Sequence, residues 1–353
     1  MADRSHSLAE IACPTPLTPK ETIVLGHGSG GRLSAELMRS IFLPAFRNPV
    51  LEQLDDQAVV RVGGTRIAMT TDSFVVKPLF FPGGDIGSLA VHGTVNDLAM
   101  GGATPLFLSA AFILEEGLPI ETLRRVVASL HEAAANAGVE IVTGDTKVVE
   151  RGGGDELFIN TTGIGSVPDH VCLSSSRACP GDKVLLSGPI GDHGIAILAQ
   201  REGLQFESPV KSDSAALHTL VAAMLKTSNA IRCMRDPTRG GVSSALNEIA
   251  GQSRVAIQLE EETIPVREEV RGACEMLGLD PLYVANEGKL LAIVAPEAAE
   301  AVLDAMQGHP LGREARVIGT VQAGATPLVT IRTMLGTCRV VDMLAGDQLP
   351  RIC

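Results

Sequence analysis

The stretch that decides the fold is DIGSLAVHGTVNDLAMGGA, residues 85–103. It reads as a helix rich in Gly and Ala, and side chains that small let its backbone lie close to a packing partner. TPLFLSAAFIL (104–114) follows at once, an apolar run of strand length, so a buried helix feeds a buried strand. Upstream, AVVRV (58–62) and RIAMTTDSF (66–74) form an expected hairpin turned at Gly63–Gly64. Before it come the strand-like ETIVLG (21–26), the loop GHGSGGR (26–32) and the helical LSAELMRSIFLPAF (33–46). Downstream, PIETLRRVVASLHEAAANAG (119–138) has Pro119 in its first turn and Gly138 just past its end, the usual punctuation of a helix. EIVTGDTKVVE (140–150) and ELFINTTGIGSV (156–167) read as strands.

A break at Pro180–Gly181 opens a second part. DKVLLSG (182–188), DHGIAILAQREG (192–203), a helix from about Ser214 to Ser228, KLLAIVA (289–295), PEAAEAVLDAMQ (296–307) and ARVIGTV (315–321) alternate strand and helix. That alternation places the chain in the α/β (α+β) class. The expected divisions are an arm and glycine loop over 1–45, a first domain over 46–170, a second over 171–344, and a flexible tail over 345–353. The tail, AGDQLPRIC, ends on Cys353. Nine extended residues reach about 30 Å, enough to carry that thiol from a domain surface into a cleft.

Composition limits the partners. The formal charge of -12 and the 3% aromatic content argue against a nucleic-acid partner, which wants basic grooves and stacking rings. Seven scattered cysteines with no C-x-x-C pair suit reduced thiols, not a disulfide framework or structural zinc. The N-terminus lacks the pattern of a signal peptide and no apolar run is long enough to span a bilayer, so a cytoplasmic location is expected.

Gly26–Gly31 matches G-x-G-x-x-G, but the acids Asp55 and Asp56 precede the next strand instead of ending it, as a dinucleotide fold requires. A mobile cover over phosphates fits better; a plain flexible turn is the alternative. No Walker P-loop exists. In its place stand aspartates in small-residue loops: Asp72, Asp85, Asp97, Asp145 and Asp236. Each alone reads as an ordinary turn or helix cap. Together, near strand ends, they suit Mg²⁺ held against phosphate oxygens. Lys77 and Lys147 add positive charge, and DPTRGG (236–241) sets glycines at a helix start, an anion-binding arrangement.

The ordered set TTDSFVVKP (70–78), GGDIG (83–87), VNDLAMGGA (95–103), TGDTKV (143–148), DPTRGG (236–241) and NEG (286–288) resembles the ATP-dependent aminoimidazole ribonucleotide synthetase superfamily. Selenophosphate synthetase and thiamine monophosphate kinase belong to it. With GHGSGGR and the terminal PRIC, the sequence resembles the HypE family of carbamoyl dehydratases, which serve nickel–iron hydrogenase maturation. The resemblance implies a PurM-like fold: an N-terminal mixed sheet that forms a barrel in a homodimer, and a C-terminal α/β domain. It implies that a HypF carbamoyltransferase loads Cys353, that ATP with Mg²⁺ drives dehydration to a thiocyanate, and that a HypC–HypD complex takes the cyanide.

By the same resemblance, Gly28, Ser29, Gly30, Gly31, Asp72, Lys77, Asn96, Asp97, Gly144, Asp145, Asp236, Thr238, Arg239, Gly240 and Asn286 bind ATP. The five aspartates named above hold metal, and Lys147 with Glu287 assists proton removal from the amide. His27 and His92 are further candidates, each read equally as a packing histidine; Arg239 stabilises phosphate charge or caps a helix. Cys13 and Lys20 echo selenophosphate synthetase, but that alternative gives no account of Cys353, and a non-catalytic carrier gives none of the aspartates.

Overall fold

Two glycines make the first turn. Strands β1 (Ala58–Val62) and β2 (Thr65–Phe74) pair antiparallel with Val62 opposite Thr65, leaving Gly63 and Gly64 as the whole loop. Their φ values of 56° and 90° are left-handed, the twist a two-residue hairpin turn requires. The computed structural model describes residues 22–204, 210–346 and 351–353; Cys13 and Lys20 fall outside them. Ahead of the hairpin, helices α1 (Arg32–Leu37) and α2 (Leu43–Phe46) follow the glycine loop, joined by a single wide helical turn.

After it come the short pair β3 (Phe80–Phe81) and β4 (Gly84–Asp85), then α3 (Ile86–Met100), β5 (Thr104–Glu115), α4 (Ile120–Ala137), β6 (Glu140–Val149) and β7 (Leu157–Ser166). The five long strands form one sheet in the order β1-β2-β7-β5-β6, antiparallel except for β5 beside β6. Helices α3 and α4 cover one face. The small residues of the opening stretch explain how closely α3 approaches: a Cβ on Gly93 would sit 2.9 Å from the Phe74 ring, and one on Gly163 of β7 2.7 Å from Thr94. Helix α4 buries Val126, Leu130, Ala133, Ala134 and Ala137, a stripe at helical spacing, and ends at left-handed Gly138.

The other sheet face is open. Met69, Phe107, Ile113 and Ile164 stand on it exposed, and all of β6 except Val149 is exposed as well. Asp145 and Lys147 pair in register with Ala111 and Ile113, which puts them on this open face.

The second half contains β8 (Lys183–Leu186), α5 (Asp192–Glu202), α6 (His218–Thr227), β9 (Ile231–Arg235), α7 (Gly241–Ser253), β10 (Ala256–Glu260), α8 (Glu268–Leu277), β11 (Leu291–Val294), α9 (Ala299–Gln307), β12 (Arg316–Gln322), β13 (Leu328–Arg332) and β14 (Cys338–Val340). Seven strands form a mixed sheet in the order β14-β13-β10-β12-β8-β11-β9, with β11 wholly buried. The helix expected from about Ser214 begins only at His218. Residues 212–217 stay outside the helix, with their polar groups bonded elsewhere: Asp213 accepts from the N–H groups of Glu287 and Gly288, and Leu217 N–H donates to Asn96.

The halves share core. Ile195, Val270 and Val284 of the second pack with Phe74, Ile86 and Val126 of the first, and Met100 joins a cluster with Leu217 and Val302. Removing this apolar surface from water holds the cleft between the halves in one shape. Among the described residues no helix is long and apolar enough to cross a membrane.

Candidate active site

The cleft is built around three carboxylates. Asp56 precedes β1, Asp97 lies on α3 and Asp236 follows β9, and one oxygen from each comes within 4.8 Å of the others. Burial raises all three well above the ordinary carboxylate range, Asp236 to about 6, and mutual repulsion adds to it. Asp97 accepts from Thr70 Oγ1 at 2.8 Å, and Arg235 lies 3.1 Å from Asp56 while also pairing with Glu248. Asp56 Oδ2 is buried without a hydrogen-bond partner. An orphaned oxygen within a cluster of hard, like-charged donors fits a divalent cation such as Mg²⁺, which would relieve both deficits. Asp72 stands close enough to raise Asp97 and Asp236 further.

Two cavities that share Asp72, Arg239 and Cys353 lie at or beside this centre. One of about 370 Å³ is lined by Asp72, Asp97, Asp236, Arg239, Glu287 and Cys353, among others. The other, about 460 Å³, lies between the glycine loop and the tail, with Gly28, Ser29, Asp72, Arg239, Gly240 and Cys353 in its wall. The loop is pressed against the DPTRGG turn: a Cβ on Gly30 (φ 71°) would meet the Arg239 carbonyl at 2.7 Å. One on Gly31 would meet the Leu344 carbonyl at 2.3 Å, and Ser29 Oγ donates to Gly346 O at 3.2 Å. Glycine loop and tail base are thus fastened together over the cleft. Gly31 also lines an adjoining cavity of about 560 Å³.

The end of the tail is not free. Val75 N–H donates to the Cys353 terminal oxygen at 3.1 Å and Lys77 N–H to Arg351 O at 3.1 Å, so the last residues lie along β2's exit like a short added strand. Arg351 pairs with Asp155. The Cys353 thiol, 8% exposed, receives a hydrogen bond from Arg239 Nη1 at 3.2 Å. Burial pushes this thiol up to about 12 despite the guanidinium, with Glu287 and Asp72 adding to the rise. The docked sulfur is therefore a neutral thiol; a nucleophilic thiolate needs the tail withdrawn or the neighbouring acids neutralised.

Several expected residues lie elsewhere. Asp85 is the N-cap of α3, accepting from Gly87 and Ser88 N–H groups, and stands apart from the carboxylate cluster. Gly144, Asp145 and Lys147 sit on the exposed edge strand, where Lys147 pairs with Asp145 at 3.0 Å. Within one chain Lys147 therefore makes no pair with Glu287, which is buried with Oε1 unpartnered. Burial, then Asp236 and Asp72, hold the Glu287 carboxyl well above its usual range. Lys77 pairs with Asp155 at 2.9 Å, outside the cavities.

Asn96 and Asn286 are fully used by backbone groups. Asn96 donates to Ala215 O at 3.0 Å and Glu287 O at 3.3 Å, and Asn286 accepts from Gly191 N–H and donates to Pro237 O. They shape the cleft from behind it. His27 bonds locally with Val24, and His92 with Ser214 Oγ at 2.9 Å, its imidazole held down to about 4 by burial. Asp56, Arg235 and Glu248 escaped the sequence reading. The Asp55–Asp56 pair looked like turn chemistry, and its one signal was an arginine immediately before DPTRGG.

Residues 54–167 match the AIR synthase related protein N-terminal domain and residues 179–331 its C-terminal domain. The fold and the cleft therefore define a two-domain enzyme of the AIR synthase class, PurM-like in architecture. The carbamoyl dehydratase HypE of Azotobacter vinelandii is 59% identical over 332 residues, 94% of this chain and 97% of that protein. A crystal structure of hydrogenase maturation protein HypE in complex with ATP matches with a TM-score of 0.80 at 52% identity, over 94% of this chain and 100% of that one. A HypE–HypF complex matches with a TM-score of 0.83 at 51% identity, over 87% and 99%. This chain belongs to the HypE family of carbamoyl dehydratases.

Proposed function

We propose that this protein dehydrates a carbamoyl group carried on its own Cys353 to a thiocyanate, at the expense of ATP, as a source of cyanide for a hydrogenase iron. The observation that carries the reading is the Cys353 sulfur, held by Arg239 in a cavity whose wall includes Asp72, Asp97 and Asp236. In the reaction, the thiocarbamate oxygen forms a bond to the γ-phosphorus of ATP as the bond to ADP breaks. One N–H proton leaves to give a carbon–nitrogen double bond; the second leaves as the carbon–oxygen bond breaks and phosphate departs. The nitrile stays on sulfur, and the carbamoyl oxygen leaves in phosphate.

Asp56, Asp97 and Asp236, with Asp72, are the residues to hold Mg²⁺, which supplies charge neutralisation for the phosphoryl group. Arg239 faces the sulfur and steadies developing negative charge. Glu287, its Oε1 unpartnered and its basicity raised by burial, is the candidate in this chain to accept an amide proton when ionised. The glycine loop excludes water that would otherwise take the phosphoryl group. The open apolar face of the first sheet suits a homodimer, whose interface would bury Asp145 and Lys147. A HypF-type carbamoyltransferase as donor and a HypC–HypD complex as acceptor complete the cycle.

The test needs no partner. The chain is treated with cyanate, then with Mg–ATP, and the peptide 347–353 is weighed. A gain of one HNCO followed by ATP-dependent loss of one H₂O is the expected result; a carbamoyl group that persists with ATP refutes the dehydratase reading.

A further inference from the structure

The tail is gripped from within the second half. His193, in the first turn of α5, is fully buried and makes two hydrogen bonds. Nε2 lies 2.6 Å from the carbonyl oxygen of Ile352, and Nδ1 lies 2.8 Å from Ser212 Oγ. A carbonyl only accepts, so Nε2 carries the proton and Nδ1 accepts from the serine hydroxyl. That hydroxyl is itself fixed: Ser212 Oγ accepts from Ser214 N–H at 3.1 Å, and Ser212 N–H donates to Pro82 O at 2.8 Å. The ring stands edge-on to Phe81, with centroids 5.6 Å apart and planes at 89°. Tautomer and orientation are therefore both built in, and burial keeps the imidazole pKa low, so the ring is neutral.

We propose that His193 is a positioning residue for the terminal cysteine: by holding the Ile352 carbonyl, it registers the tail so that the sulfur faces Arg239. The main-chain bonds at Val75 and Lys77 align the tail along β2's exit. The His193 bond engages the peptide group that joins Ile352 to Cys353, and so fixes the turn of the last residue toward the cavity. Ser212 acts one step behind, as the group that chooses the tautomer. The proposal rests on the dehydratase reading for its purpose, though not for its geometry.

Two opposed effects are expected in His193→Ala and His193→Phe. Loosening the tail should speed alkylation of Cys353 by iodoacetamide about tenfold, the factor one lost hydrogen bond carries. ATP-dependent loss of water from the carbamoylated tail should slow by about the same factor. His193→Gln, whose amide can still donate to Ile352 O, should lie closer to wild type on both measures. Buried Cys233 and Cys274 are the internal control, and their alkylation should stay slow. Unchanged Cys353 alkylation in both the Ala and Phe variants overturns the proposal. So does equal acceleration at Cys233 and Cys274, which would mark general loosening. Should the variants fail to fold, the full wild-type chain with ¹⁵N-labelled histidine decides: His193 must show the Nε2–H tautomer, and an Nδ1–H signal refutes the grip. If carbamoylated wild type never loses water, the dehydratase reading fails alone, and alkylation still tests the grip.

Discussion

The cleft and the edge strand β6 carry aspartates that look alike in sequence and live in opposite physical conditions. Asp97 and Asp236 sit among like charges in a closed space, and their carboxyls are pushed up by burial. Asp145 stands exposed beside Lys147, whose hydrogen bond holds its carboxyl below the ordinary value. The first environment suits a cation. The second is complete electrostatically but lies on an apolar face left exposed among the described residues. A motif set therefore names residue types, and one chain need not bring all of them to one place.

The sharpest way to break this contrast is to neutralise the cleft. Asp97→Asn should reduce ATP-dependent dehydration of the carbamoylated tail by about 100-fold or more, while removing repulsion that no metal relieves. In EDTA its melting temperature should therefore equal or exceed wild type, and added Mg²⁺ should raise the melting temperature of wild type alone. A variant that melts lower in EDTA would show that Asp97 is held by contacts rather than strained by charge. Next, Glu287→Gln should slow dehydration by about 100-fold with cyanate loading of Cys353 kept, which single-turnover mass measurements would separate. Equal loss of both steps would remove Glu287 from the proton-accepting role.

The edge strand is probed through the open face. Ile164→Asp should shift the chain toward a monomer in analytical ultracentrifugation, because the substituted residue is exposed within one chain. An unchanged sedimentation coefficient at micromolar concentration would discard the homodimer. The smallest effect belongs to Asp85→Ala. Losing the α3 cap should cost about 1 kcal/mol of stability and leave the dehydration rate of folded protein near wild type. A rate loss like that of Asp97→Asn would return Asp85 to the metal site.

Most of the fold was legible because each element carries its own punctuation. Gly63–Gly64 set the first hairpin, Pro119 and Gly138 bracket α4, and the Gly/Ala pattern of 85–103 anticipates the close packing of α3. The start of α6 was misread because nothing local says that Asp213 bonds the Glu287 backbone, a contact across 74 residues. The site was legible as a list of residue types and only partly as a place. Asp56 was passed over since an acid before a strand is ordinary, and its pairing with Arg235 emerges only when β9 arrives beside it. Asn96 and Asn286 sit in motifs that suggest a ligand, yet their amides are spent on the backbone that frames the cleft. The tail read as free because its nine residues carry no periodic pattern; its anchorage comes from main-chain groups, which sequence does not display.

Val75, Lys77 and His193 all hold the tail through its peptide groups, and none of these bonds touches the sulfur. The berth is thus largely blind to its freight. On the proposed reaction a bare thiol, a carbamoylated sulfur and a nitrile-bearing one meet the same main-chain grip, so these three bonds by themselves cannot sort an empty arm from a loaded one, whereas the Arg239 hydrogen bond does reach the sulfur. Sorting must come from whatever shares the cavity with the sulfur, because an equilibrium shifts only by a difference in affinity between its states. In the proposed cycle the nucleotide, as the other expected occupant of that space, is the timekeeper, while the main-chain grip on the arm is indifferent to its load.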